Sequence, residues 1–135
     1  MAACKIHFLK MVENIKVLIA DDSELMRLLM KRFFAKWLSS PIIVERGNLP
    51  DTLELLKKEA FNFVLLDINM PKGGSSPNTV REILGIQPDI KVCMFSGNDK
   101  STLEESYLEA GAIGFIQKDE NMSAAAERII KKAFY

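Results

Sequence analysis

The 135-residue chain contains one histidine, His7, and only two cysteines, Cys4 and Cys93. A lone histidine in the opening segment cannot build a histidine-based site. Two cysteines do not make a disulfide framework and fit a reducing cytosol, with Cys93, inside the apolar "KVCMF", reading as a small core residue. Neither charge sign is in excess. The 18 acidic and 18 basic side chains cancel, so nothing suggests electrostatic attraction to nucleic acid or to an anionic membrane. No apolar run is long enough to span a bilayer. Lysines at 5 and 10 interrupt the opening "MAACKIHFLKMVEN", which therefore lacks the continuous apolar stretch of a secretory signal. Repeats and linkers are absent as well. These absences lead to the expectation of a soluble, cytoplasmic chain with one hydrophobic core, no room for a second domain, and an output that passes through a partner. Regular patterning begins only at Ile15, so residues 1–13 read as an N-terminal appendage, with Met11 as an alternative start, and residues 14–135 as the domain.

What is present alternates. "IKVLIA" is a short, partly β-branched apolar run closed by acids, a buried strand. "DSELMRLLMKRFFAKWL" then places apolar residues at 25, 28, 29, 33 and 37, a helical spacing, with Ser23 or Asp22 as cap. "PIIVE" and "NFVLLD" read as strands two and three. Between them, "NLPDTLELLKKEA" is a helix that tolerates Pro50 in its first turn. "SSPNTVREILGI" is a helix capped by Ser76, and "IKVCMFS" is strand four. "DKSTLEESYLEAGA" carries a capping box, Ser101 with Glu104, and stops at Gly111. "IGFIQ" is strand five and "NMSAAAERIIKKAF" the last helix. Leu103, Leu108, Ile129 and Ile130 fall at core spacing, and Trp37 lies far from the start of its helix. Five strands alternating with five helices predict an α/β fold: a doubly wound parallel sheet with helices on both faces.

In such sheets ligands bind beyond the carboxyl ends of the strands. The residues there are Asp21 and Asp22 after strand one, Asp67 after three, Ser96 after four and Lys118 after five. Taken singly each has a plain explanation: adjacent acids cap helices, a serine bonds a loop amide, and a lysine is a solvated charge. Together they form complementary chemistry at one mouth. Three clustered carboxylates repel one another, and a hard dication with oxygen ligands, such as magnesium, relieves the repulsion. Lys118 and the Ser96 hydroxyl can then hold phosphoryl oxygens.

On "ADD", "LLDINMP", "FSG" and "GAIGFIQK" the chain resembles the response-regulator receiver domains of two-component signalling across residues 14–134. The resemblance implies a flavodoxin-like sheet of order 2-1-3-4-5. It implies Asp67 as phosphoacceptor from a sensor histidine kinase or phosphotransfer protein. Asp22, Asp67 and the Asn69 carbonyl would be magnesium ligands, with Asp21 acting largely through water. Lys118 would partner the phosphoryl group, and Ser96 with Phe115 would form the conformational switch. The implied output is a single-domain regulator with slow self-dephosphorylation, signalling to a downstream protein through a face around Tyr107, Phe115 and Lys131. A phosphorylation-dependent dimer is compatible with it. Three departures stand out: the serine-rich "KGGSSPN" loop, Gly97 after the switch serine, and Asp119 where the lysine is usually followed by proline. Without that proline the Lys118–Asp119 bond is expected to be trans. Rival readings are a constitutive pseudo-receiver and a flavodoxin-like small-ligand binder. The retained acidic chemistry argues against the first, and "DDSE" would repel a bare phosphate in the second. A haloacid-dehalogenase-like phosphatase fits less well, since its acids are separated by a spacer.

Overall fold

The computed structural model describes residues 14–135; the appendage, with Cys4, His7 and Met11, lies outside the described residues. Five strands, β1 (Lys16–Ala20), β2 (Ile42–Arg46), β3 (Phe63–Asp67), β4 (Lys91–Ser96) and β5 (Gly114–Gln117), pair in parallel in the order β2-β1-β3-β4-β5. The helices are α1 (Glu24–Trp37), α2 (Leu49–Lys58), α3 (Pro77–Ile86), α4 (Lys100–Glu109) and α5 (Met122–Phe134). Parallel neighbours cannot be joined by a tight turn, so α1 to α4 are crossovers, and α5 follows the last strand. Side chains alternate across the sheet. Leu18, Val64, Leu66, Val92 and Met94 share one core with residues of α2, α3 and α4, while Val17, Ile19, Phe63, Leu65 and Phe95 share the other with α1 and α5. Both faces are covered, which is why the strands are continuous apolar runs.

Local signals set the helix starts. The Ser23 hydroxyl accepts the Met26 N–H at 3.2 Å, and the Asn48 side chain accepts the Asp51 N–H at 2.9 Å. Pro77 opens α3 directly after its cap, Ser76. Gly111, at φ 115°, ends α4 in the left-handed region.

Three expectations are corrected. The buried stripe of α1 contains Met30 and Phe34, flanked by the partly buried Met26, Phe33 and Trp37, while Leu25 and Leu28 are exposed. Both stripes have helical spacing and share Phe33 and Trp37; the one that faces the sheet adds Met30 and Phe34. Phe34 meets Phe63 edge-on at 5.2 Å. Next, α4 begins two residues earlier than a Ser101 cap requires. Asp99 is the cap, accepting from both the N–H and the hydroxyl of Ser101. Glu104 faces Lys100 instead, at 3.5 Å. Finally, Leu108 is exposed, whereas Ile129 and Ile130 are buried and Leu103 is partly buried against the core.

Candidate functional site

Each strand that points into the mouth ends in a polar residue held by its neighbours. Asp21 follows β1, where its N–H donates to Arg46 O at 3.0 Å and its Oδ1 accepts the Ser23 N–H at 2.8 Å. Asp67 closes β3 in register with Phe95 of β4. Ser96 closes β4 beside Gln117, and its carbonyl accepts the Lys118 N–H at 2.8 Å. Strand pairing therefore brings Asp21, Asp67, Ser96 and Lys118, far apart in the chain, to one edge of the sheet.

The carboxylates of Asp21, Asp22 and Asp67 offer oxygens that all lie within 4.8 Å of one another. Asp21 and Asp67 are buried and Asp22 is exposed. The Lys118 ammonium stands between the buried pair, 2.8 Å from Asp21 Oδ2 and 3.3 Å from Asp67 Oδ2, and 4.8 Å over the Phe95 ring. Lys118 donates a hydrogen bond to Asp67. Asp21 Oδ2 is buried, and the Lys118 ammonium is the ion-pair partner it has there. Burial pushes the Asp67 carboxyl up to about 6, and the Asp21 charge adds to the rise. The Lys118 charge and the Asn69 N–H oppose it. One ammonium does not neutralise three carboxylates. Two buried carboxylates sharing one ammonium, in a cluster open to solvent at Asp22, leave negative charge and oxygen lone pairs that a hard dication would satisfy. The donor set therefore fits magnesium.

Asn69 is exposed at the rim. Its N–H donates to Asp67 Oδ1 at 3.2 Å and its side chain to Asn98 Oδ1 at 3.1 Å. The Ser96 hydroxyl accepts the Asn98 N–H at 2.9 Å. The face expected around Tyr107, Phe115 and Lys131 is corrected. Tyr107 and Phe115 are buried, packed edge-on at 6.0 Å. Lys131 is on the side of α5 that meets α1, paired with Glu127 and 4.8 Å over the Trp37 ring. What β5 exposes with its two flanking helices is a cleft whose lining includes Lys100, Leu108, Arg128 and Lys132.

The Lys118–Asp119 bond is trans, with no cis peptide among the described residues. Asp119 organises the turn into α5: its N–H donates to Gln117 O at 2.9 Å and its Oδ1 accepts the Asn121 N–H at 2.8 Å. Sequence reasoning missed Arg27, which donates to the Asp21 carbonyl at 2.6 Å and to Glu45 at 3.0 Å. It also missed Asn98 and Ser75. The Ser75 hydroxyl donates to the Asp67 carbonyl at 3.0 Å. Arg27 could have been found, lying one helical turn beyond the Ser23 cap. The other two depend on loop paths.

Comparison with known proteins points the same way. Residues 17–130 match the family model of the response regulator receiver domain. The transcriptional regulatory protein DegU of Brevibacillus brevis is 30% identical over 116 residues, covering 86% of this chain and 49% of that protein. The chain thus spans about half the length of the curated relatives it matches. A response regulator from Thermotoga maritima superposes with a TM-score of 0.75 at 26% identity, covering 90% of this chain and 98% of that one. A CheY-like receiver domain protein from Methanospirillum hungatei gives 0.75 at 22% identity, covering 90% and 94%.

Proposed function

The chain belongs to the response-regulator receiver domain family of two-component signalling, and from that premise we propose that Asp67 is its phosphoacceptor. The donor is the phosphohistidine of a sensor kinase or phosphotransfer protein. The observation that carries this reading is the placement of one ammonium, Lys118, between two buried carboxylates that cluster with a third.

An Asp67 carboxylate oxygen attacks phosphorus; the new O–P bond forms as the N–P bond to the donor imidazole breaks and its electron pair returns to nitrogen. The Lys118 ammonium, already 3.3 Å from Asp67 Oδ2, follows the charge onto the phosphoryl oxygens. Asp22, Asp67 and the Asn69 carbonyl would hold a magnesium ion directly, and Asp21 largely through water. Bound there, the ion supplies charge neutralisation and an electrostatic clamp for the phosphoryl group. The Ser96 hydroxyl turns toward a phosphoryl oxygen, giving up the Asn98 N–H, and Phe115 behind it registers the change. The state is read by a downstream protein on the cleft of α4, β5 and α5. The reaction is expected in the cytoplasm, where receivers meet their kinases, and the phosphoryl group is lost by slow hydrolysis.

Intact-mass measurement after acetyl phosphate tests the reading. A gain of one phosphoryl group with magnesium, absent with chelator and absent in Asp67→Asn, is the expected result. No gain with magnesium would identify a constitutive pseudo-receiver, and an equal gain in Asp67→Asn would place the acceptor elsewhere.

A further inference from the structure

The loop between β3 and α3 contains a serine that the family resemblance does not explain. "MPKGGSS" turns back on itself, with Lys72 at φ 66° and Gly73 at φ 110°. A β-carbon on Gly74 would stand 2.7 Å from Ile68 O, so the chain passes close against its own strand end. Ser75 is buried at the bottom of this fold-back. Its N–H donates to Ile68 O at 2.7 Å and its hydroxyl to Asp67 O at 3.0 Å. Its carbonyl accepts the Tyr107 hydroxyl from α4, at 3.1 Å and out of solvent.

Tyr107 is therefore more than a core ring. Phenylalanine would fill the same space against Phe115, and a buried hydroxyl costs free energy unless it is bonded. This one is bonded, to the residue whose side chain holds the phosphoacceptor's own carbonyl. Burial pushes the phenol up from its ordinary value, so the hydroxyl remains a proton donor. Bonds and contact are continuous from Asp67 to Ser75, from Ser75 to the Tyr107 hydroxyl, and from the Tyr107 ring to Phe115. Phe115 itself has no hydroxyl with which to be tethered.

We propose that Tyr107 is a positioning residue which, through Ser75, couples the phosphorylation state of Asp67 to Phe115 and helix α4. The inference rests on Asp67 being the acceptor, and its test separates the two. The full chain has only two tyrosines, Tyr107 and Tyr135, so 3-fluorotyrosine labelling gives two fluorine resonances, assigned with Tyr107→Phe. Acetyl phosphate and magnesium are added, phosphoryl occupancy is read by intact mass, and amide exchange is followed across residues 100–109. The expected result is a Tyr107 resonance that moves with occupancy, and α4 exchange that changes about fivefold or more, the lower end of ordinary coupling between sites. At equal occupancy, Tyr107→Phe and Ser75→Ala each reduce that change to less than about twofold, and the double variant is no worse than either single, as for residues in one chain of contacts. Phosphoryl gain with a stationary Tyr107 resonance, or with an undiminished α4 response in both variants, overturns the coupling and leaves the acceptor standing. No phosphoryl gain in the wild type overturns both.

Discussion

Asp67 is a carboxylate that the fold makes reluctant to ionise. Burial and the neighbouring Asp21 raise it from about 3.8 to about 6. In metal-free protein the folded state thus keeps this proton at a pH where the unfolded chain has released it. Stability from this group is fully present below about pH 4 and is lost as pH rises through about 6. Asp67→Asn cannot ionise and escapes that loss. In chelator, its stability relative to wild type should rise between about pH 4 and pH 7, by on the order of 2 kcal/mol. Denaturant melts across that range check it; a difference that does not vary with pH would contradict the assignment. Glu45 changes stability with the opposite sign. Burial pushes its carboxyl up, but the ion pairs with Lys31 and Arg27 outweigh burial and hold it below the usual range. Its contribution is present above the ordinary carboxylate pKa and is lost as pH falls through the lowered value in the fold. Since Glu45 is common to both proteins, comparison of wild type with Asp67→Asn cancels it. Ser96 separates chemistry from switching. Ser96→Ala retains Asp67 and Lys118, so it should still accept a phosphoryl group while losing the phosphorylation-driven change around Phe115. Aromatic NMR of both proteins at equal occupancy reads this directly; identical shifts at Phe115 would remove Ser96 from the switch.

At the scale of elements, the turn after β5 shows how this chain does without proline. Asp119 uses both its N–H and its carboxylate to organise the entry into α5. Asp119→Pro deletes both bonds, and a loss of about 1–2 kcal/mol should follow in denaturant melts; a stabilised variant would contradict this account of the turn. Trp37 offers a control. It ends a 14-residue helix, roughly 20 Å from the acidic mouth at 1.5 Å per residue, beside the ammoniums of Lys36 and Lys131. Its emission should stay flat through a magnesium titration, and strong quenching would put a metal site at the wrong end of the molecule. The elements were legible in the sequence because apolar runs of strand length ended on polar or charged residues and each helix began at a polar cap. The rotation of α1 was not. Two stripes had helical spacing, and only the packing of Phe34 on Phe63 selects between them. Asp99 was hidden for a similar reason, since two cap signals overlapped within three residues. Tyr107 could not be placed because its partner, Ser75, lies 32 residues away, across a loop whose path depends on positive φ at Lys72 and Gly73.

For the whole molecule, sheet order explains why so much of the site was readable. With β1 and β3 adjacent and β4 and β5 following, four strand ends converge, so residues directly after apolar runs become neighbours without any loop to predict. Rim and relay residues reach the site through loops, which is why Asn98 and Ser75 were found only in the structure. The same topology puts the proposed acceptor at the carboxyl ends of the strands and the cleft of α4, β5 and α5 to its side, so the proposed signal has a short path to travel. All of this depends on which carboxylate takes the phosphoryl group. Borohydride reduces an aspartyl phosphate to homoserine. The most direct measurement is therefore to treat the chain with acetyl phosphate and magnesium, reduce it with borohydride, and map the peptides by tandem mass spectrometry. The account predicts homoserine at position 67 and at no other aspartate. Homoserine at Asp21 or Asp22 instead, or none in a chain that remains folded, would contradict it.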